Sequence, residues 1–148
     1  VHQLRHLLRR MTGLRVENTT LCRRVDSFGV YEPIEPRSFP AGQSHPVILY
    51  CELRNFRSDR TEDGRYRTLL AERVEILTSD GRTVWQQSND RIEDLCRTVR
   101  EDFFLAQIIH LPASLSPGSY VLKITVEDKL AGTFSQGAVS FTIRPLGQ

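Results

Sequence analysis

Lysine is nearly missing from this chain: Lys123 and Lys129 stand against 18 arginines. Arginine suits bidentate pairing with carboxylate or phosphate, but a preference spread over the whole length reads as base composition rather than as a site. Cysteine is also scarce. Cys22, Cys51 and Cys96 contain no CxxC and no histidine at metal-ligand spacing, which excludes a disulfide framework and a zinc site. At most one bridge can form, and Cys22 with Cys51 would need neighbouring strands in register. Cys51 shares alternation with Val47, Leu49 and Leu53 and reads as a small buried hydrophobe. No run approaches the ~18 apolar residues of a membrane-spanning helix. A glycine-rich phosphate loop, a GxSxG elbow, internal repeats and low-complexity tracts are missing as well.

What is present suits an ordered domain. The chain has 148 residues, 39% hydrophobic and 26% charged, enough for one domain with its own core. The net charge of +2 is unevenly placed, because residues 1–24 hold six arginines against the single acid Glu17 while the remainder is net acidic. Nucleic acid therefore has only the N-terminus as a candidate contact, and the aromatics of the body alternate as core residues rather than lining a basic groove. The chain begins at Val1 with no apolar signal region, and we expect a piece of a longer protein.

Residues 1–13 form the first organisational unit. Val1, Leu4, Leu7, Leu8 and Met11 fall at helical spacing, with His2, Arg5, His6, Arg9 and Arg10 mostly on the other side. The pattern predicts a short amphipathic helix ending near Gly13. It can pack on its own domain or on a neighbouring chain, continue an upstream helical region, or lie on an anionic surface. A helix of about 11 residues is marginal alone in water, which favours the first two.

From residue 14 to residue 148 the period changes from 3.6 to 2. Leu21–Val25 and Phe28–Ile34 read as an interrupted first strand, and Pro33–Pro46 as a connection outside any central ladder. Val47–Phe56 and Thr68–Ser79 are strands, the second leading through Asp80-Gly81, a hairpin turn signal, into RTVWQQS. Asn89–Arg97 is expected to make a helical turn capped by Asn89 or Asp90. Glu101–Pro112 is apolar on both faces, as a central strand is, and a last strand is built on Val139, Phe141 and Ile143. In SLSPGSYVLKITVED, Tyr120, Leu122, Ile124 and Val126 share one face. Tyr120 follows Pro117-Gly118 as the tyrosine corner of Greek-key sandwiches does, its hydroxyl bonding back to the preceding connection. Seven to eight strands without alternating helices predict an all-β, antiparallel, immunoglobulin-like sandwich.

Chemistry is thinly represented. Cys96 with His110 is a conceivable nucleophile and base for a hydrolase, but no motif surrounds them and His45 sits in a proline-flanked loop. Glu62-Asp63, Glu93-Asp94, Glu101-Asp102 and Glu127-Asp128 are adjacent carboxylates, of which Glu127 and Asp128, at a strand end, suit a loop-end calcium best. Tyr31, Tyr66 and Trp85 are candidates for stacking on a sugar face. No catalytic, metal or cofactor set is expected, and the module reads as non-enzymatic.

The pieces FPAGQ, VILYCELRNF, DGRYRTLLAERVEIL, VREDFFLAQIIHLP and PGSYVLKITVEDKLAG, across most of Thr19 to Pro145, resemble an uncharacterised immunoglobulin-like sandwich module of large bacterial proteins, especially planctomycete ones. The resemblance implies an interaction or spacer role in an exported, extracytoplasmic protein, with no catalytic residues to carry over. The sequence departs from antibody domains, since Leu122 stands where a second cysteine would follow the corner tyrosine and the sole Trp85 comes after the Asp-Gly turn.

Overall fold

A computed structural model describes residues 13–147, and the helix expected over residues 1–13 lies outside them but for Gly13. Ten strands follow in order: β1 (Arg15–Ser27), β2 (Val30–Pro33), β3 (Ser38–Pro40), β4 (His45–Arg54), β5 (Asp59–Arg60), β6 (Tyr66–Thr78), β7 (Thr83–Cys96), β8 (Phe103–Leu111), β9 (Gly118–Asp128) and β10 (Thr133–Arg144). Two sheets result. One runs β2-β1-β4-β8; the other runs β3-β10-β9-β6, with β5 and β7 also paired to β6. All pairings are antiparallel except that of β3 with β10.

The period-2 pattern accounts for the core. Leu49, Cys51 and Leu53 of β4, Leu70, Val74 and Ile76 of β6, and Leu122, Ile124 and Val126 of β9 point between the sheets and are almost fully buried. Each such aliphatic side chain contributes roughly 1.5–3 kcal/mol on leaving water. Tyr120 donates from its hydroxyl to the Ser116 carbonyl at 2.6 Å, so the bend before β9 is tied to the strand it opens.

Several expectations change. The interrupted first strand is a hairpin, β1 turning at Phe28-Gly29 into β2. Asn89–Arg97 forms no helical turn; residues 89–96 continue β7, because Ile92 packs against the core and the backbone is held in register by β6. β8 is an edge strand, not a central one, and its second apolar face accordingly leaves Ile108 62% exposed.

The Asp80-Gly81 hairpin is present, and it has a twin. Thr61–Arg65 (TEDGR) and Thr78–Arg82 (TSDGR) carry the same bonds at the two ends of β6. In each, the threonine N–H donates to the arginine carbonyl, at 2.8 and 2.9 Å, and the glycine N–H to the threonine carbonyl, at 3.0 and 2.9 Å. The threonine hydroxyl accepts from the arginine N–H and donates to the aspartate. Gly64 and Gly81 have φ of 82° and 88°, which a side chain would resist.

The two sheets close on each other along one side. Asn18, with φ of 52°, sits at a bulge in β1 that brings residues 16–19 over β10. There Val16 N–H donates to Ser135 Oγ at 3.2 Å, and Gly137 leaves no room for a Cβ against Thr19 and Val16.

Candidate functional site

The outer face of the four-stranded sheet is where the polar and aromatic side chains collect. Alternation in VILYCELRNF assigns Ile48, Tyr50, Glu52 and Arg54 to that face, yet Tyr50 is 0% and Glu52 4% exposed. Neighbouring strands supply the cover. Tyr31 of β2 lies over Tyr50 with ring centroids 4.3 Å apart, and Phe104 of β8 flanks it at 5.7 Å. The Phe28-Gly29 tip reaches the same spot, Gly29 N–H donating to the Tyr50 hydroxyl at 2.8 Å.

A buried polar group costs stability unless it is bonded, and here the demand is met. Tyr50 donates to Glu52 Oε2 at 2.6 Å, while Asn18 Nδ2 donates to Glu52 Oε1 at 2.6 Å. Burial first, then the Glu52 bond, pushes the Tyr50 phenol far above its usual range, so its proton stays in place. Both carboxylate oxygens of Glu52 are committed. The network fixes a surface; it offers neither a base nor a nucleophile.

Beside it, Arg54 ties three segments. Its guanidinium donates to Glu17 Oε2 at 3.1 Å and to Asp102 Oδ1 at 2.8 Å, and lies 5.5 Å above the Phe28 ring. The Glu17 bond chiefly, with the nearby acids, holds its pKa above the ordinary arginine value. These exposed pairs are worth little individually, but they orient the rim. Across the remaining face, Ile48 pairs with Ile108 and Tyr50 with Ala106, leaving an apolar strip that ends at Phe104.

The residues singled out from sequence are scattered. Cys96 ends β7, its Sγ donating to Asp94 Oδ2 at 3.1 Å and accepting from Arg100 at 3.0 Å. His110 is seven residues along β8 from Phe103, the residue over which Arg100 lies, which puts it about 23 Å away at ~3.3 Å per residue. Tyr31 belongs to one sheet, and Tyr66 and Trp85 to the other, where Trp85 packs against the core. Asp128 is fully buried and accepts the N–H groups of Arg57, Leu130 and Ala131, so its carboxylate organises loops rather than facing solvent. Among the described residues no three His, Cys, Asp or Glu side chains gather as a metal cluster.

The three cysteines are free; Cys51 lies in the core, whereas Cys22 is buried outside that cluster. Burial raises the Cys22 thiol and lifts Cys51 to about 12. His45, in β4, holds the Pro40 carbonyl at 2.7 Å through Nε2. No helix among the described residues is long and apolar enough to cross a membrane.

Sequence reasoning missed the Tyr50–Glu52 pair, because alternation alone counts both as solvent-facing. The available signal was a tyrosine and a glutamate two residues apart within a strand otherwise almost wholly apolar.

No protein-family model matches the chain, and no curated protein does. Among solved structures it is similar to Pseudomonas fluorescens alkylpurine DNA glycosylase AlkC bound to DNA containing an abasic site analog, at 14% identity and a TM-score of 0.42, over 97% of this chain and 36% of that one. A likeness of that size carries nothing about DNA or catalysis to this chain.

Proposed function

We propose that this chain is a non-enzymatic immunoglobulin-like sandwich that serves as an interaction or spacer module of a larger, extracytoplasmic bacterial protein. The strand order supports the fold reading: β1-β4-β8 facing β7-β6-β9-β10 corresponds to strands A-B-E facing C′-C-F-G. Tyr120 then stands near the start of the F-equivalent strand with its hydroxyl on the preceding connection, as in a tyrosine corner. The compartment and the parent protein rest on the resemblance of the strand segments alone.

One observation carries the interaction reading. The outer face of the four-stranded sheet exposes an apolar strip around Ile108, at an unpaired edge, over a rigid Tyr50–Glu52–Asn18 base. An exposed apolar surface next to fixed aromatics is what a protein partner covers. The hydrolase alternative has less support, since Cys96 and His110 are far apart. The carbohydrate and calcium alternatives lack a common aromatic face and a free carboxylate at Asp128, respectively.

A photo-activated cross-linking residue placed at position 108 of the full chain tests this reading, with position 127, exposed on β9 of the other sheet, as control. We expect a discrete peptide adduct, to another chain or within this one, from position 108 only. Equal labelling from both positions, or hydrolysis of generic ester substrates lost in Cys96→Ser or His110→Ala, would overturn it.

A further inference from the structure

We infer that β8 is a dimerisation edge: it pairs antiparallel with β8 of a second copy of this chain, across a two-fold axis at Gln107, so that the two four-stranded sheets become one. The inference rests on the interaction reading and names the occupant of the surface around Ile108. A sheet edge presents unpaired N–H and C=O groups, and folded chains blunt such edges with brevity, proline, charge or a covering segment. The other edges among the described strands are blunted in these ways. β2 has four residues and contains Glu32 and Pro33, β3 has three and ends in Pro40, β5 has two, and β7 carries Asp90, Arg91, Glu93 and Asp94. β10, beyond its pairing with β3, is approached by residues 16–19 of β1. β8, FFLAQIIHL, has none of these devices: its nine residues include no lysine, arginine, aspartate, glutamate, proline or glycine, and it runs against β4 without a register shift.

The ladder fixes which residues carry the open backbone groups. Ile34 N–H donates to the Leu21 carbonyl at 2.9 Å, so Leu21 of β1 turns its polar groups toward β2 and away from Leu49, its partner in β4. Leu49 therefore bonds on its other side, to Gln107 of β8. Alternation then sends the N–H and C=O of Phe104, Ala106, Ile108 and His110 outward from the sheet. Pro46 opposite His110 agrees, because a proline has no N–H to give to a hydrogen-bonded pair. The same four side chains lie on the outer face, where Ala106, Ile108 and His110 are exposed and Phe104 is half-buried.

A two-fold axis at Gln107 satisfies all of those groups. Phe104 then faces His110 of the second copy and Ala106 faces Ile108, each pair exchanging both backbone bonds, with a small side chain set against a large one at the centre. Moving the axis to Ile108 would set Phe104 against Pro112, which has no N–H, and moving it to Ala106 would set His110 against Asp102, already held by Arg54. Charge does not oppose the pairing. The charges next to β8 stand at one end, Arg100, Glu101 and Asp102, where Arg100 binds Asp94 and lies over Phe103 while Asp102 binds Arg54. The two-fold lays that end beside the uncharged Pro112, Ala113 and Ser114 of the second copy. At the axis itself Gln87 of β7 reaches Gln107, and residues 83–89 around it are also uncharged. Such a contact closes on two copies and leaves no β8 edge for a third.

Sedimentation velocity of the full chain over a concentration series, with Ile108→Lys beside it, tests this. We expect a concentration-dependent dimer in the parent and association at least about tenfold weaker in Ile108→Lys, whose two ammonium groups fall on diagonal positions of the shared sheet. Disulfide trapping in a Cys96→Ser background reads the register. Chains with Ala106→Cys mixed with chains with Ile108→Cys should cross-link, because directly opposed residues have Cα atoms ~5.5 Å apart. Either chain alone should cross-link at least about fivefold less, its cysteines being diagonal and ~7–8 Å apart. A parent that is monomeric throughout the series, a dimer untouched by Ile108→Lys, or self cross-linking as strong as the mixed reaction would overturn the assignment. A monomer whose position 108 photo-cross-links to a different protein sinks this inference and leaves the interaction reading standing; a monomer labelled equally from positions 108 and 127 sinks both.

Discussion

Gln107 of β8 donates from Nε2 to Glu72 Oε2 at 2.8 Å, a bond that crosses between the two sheets on the side where β7 and β8 are edges. Glu72 is only 7% exposed, and Gln87 of β7 reaches Gln107 Oε1 at 3.5 Å. Together they join the two sheets opposite the Val16–Ser135 contact. Burial raises the Glu72 carboxyl above its ordinary 4.5, with the Gln107 bond opposing part of that rise.

The folded chain thus holds the Glu72 proton more tightly than the unfolded one. Its contribution to stability is full below the ordinary carboxyl value and is lost as pH rises through the raised one. Glu72→Gln keeps an acceptor for Gln107 and removes the buried charge. We expect it to gain on the order of 1 kcal/mol at neutral pH and to flatten the pH dependence above the ordinary carboxyl value of 4.5. Urea titrations at several pH values check this; a loss of stability at pH 7 would contradict it.

Tyr50 and Tyr120 both donate through their hydroxyls, but their surroundings differ. Tyr50→Phe strands a Gly29 N–H and a buried Glu52 oxygen, and should cost about 2–3 kcal/mol. Tyr120→Phe releases the carbonyl of exposed Ser116, which water can satisfy, and should cost about 1 kcal/mol. Denaturant midpoints measured side by side decide; equal losses would mean that the Tyr50 site admits water.

Gly137→Ala places a methyl against Thr19 Oγ1 and 2.8 Å from Val16 Cγ1, in the one place where β1 crosses close to β10. Overpacking of this kind costs about 1–3 kcal/mol. Thr19→Ala removes that hydroxyl, so the double variant should recover part of the loss in thermal melts. A Gly137→Ala protein as stable as the parent would show that β1 is free to lift away.

Thiol accessibility should separate the cysteines. Cys22 and Cys51 are buried with raised pKa values, and Cys96 is half-buried at a strand end. An aromatic disulfide reagent at pH 8 should titrate Cys96 quickly and the other two only after denaturation, since the thiolate reacts. Rapid modification of all three would mean that the sheets part readily.

Much of the fold was legible because alternation is a local signal with a single physical cause. Leu49, Cys51 and Leu53, or Leu122, Ile124 and Val126, have to face inward once the segment is a strand, and the Pro-Gly and Asp-Gly pairs mark where strands stop. The repeated TxDGR turns are open to the same reading. Alternation assigns a face but not a neighbour. It could not tell that β8 ends its sheet and leaves Ile108 to solvent, or that Asn89–Arg97 stays extended because β6 holds it in register. It also could not show that Tyr50 and Glu52, outward by period, are buried by Tyr31, Phe104 and a hairpin tip. Sequence by itself therefore determined most of the long strands, their inward faces and the bend before Tyr120, because those follow from contacts a few residues apart. Only tertiary structure decided the Glu72–Gln107 bridge, the scattering of Cys96 and His110 and the covered aromatic face, because each depends on which strands lie side by side.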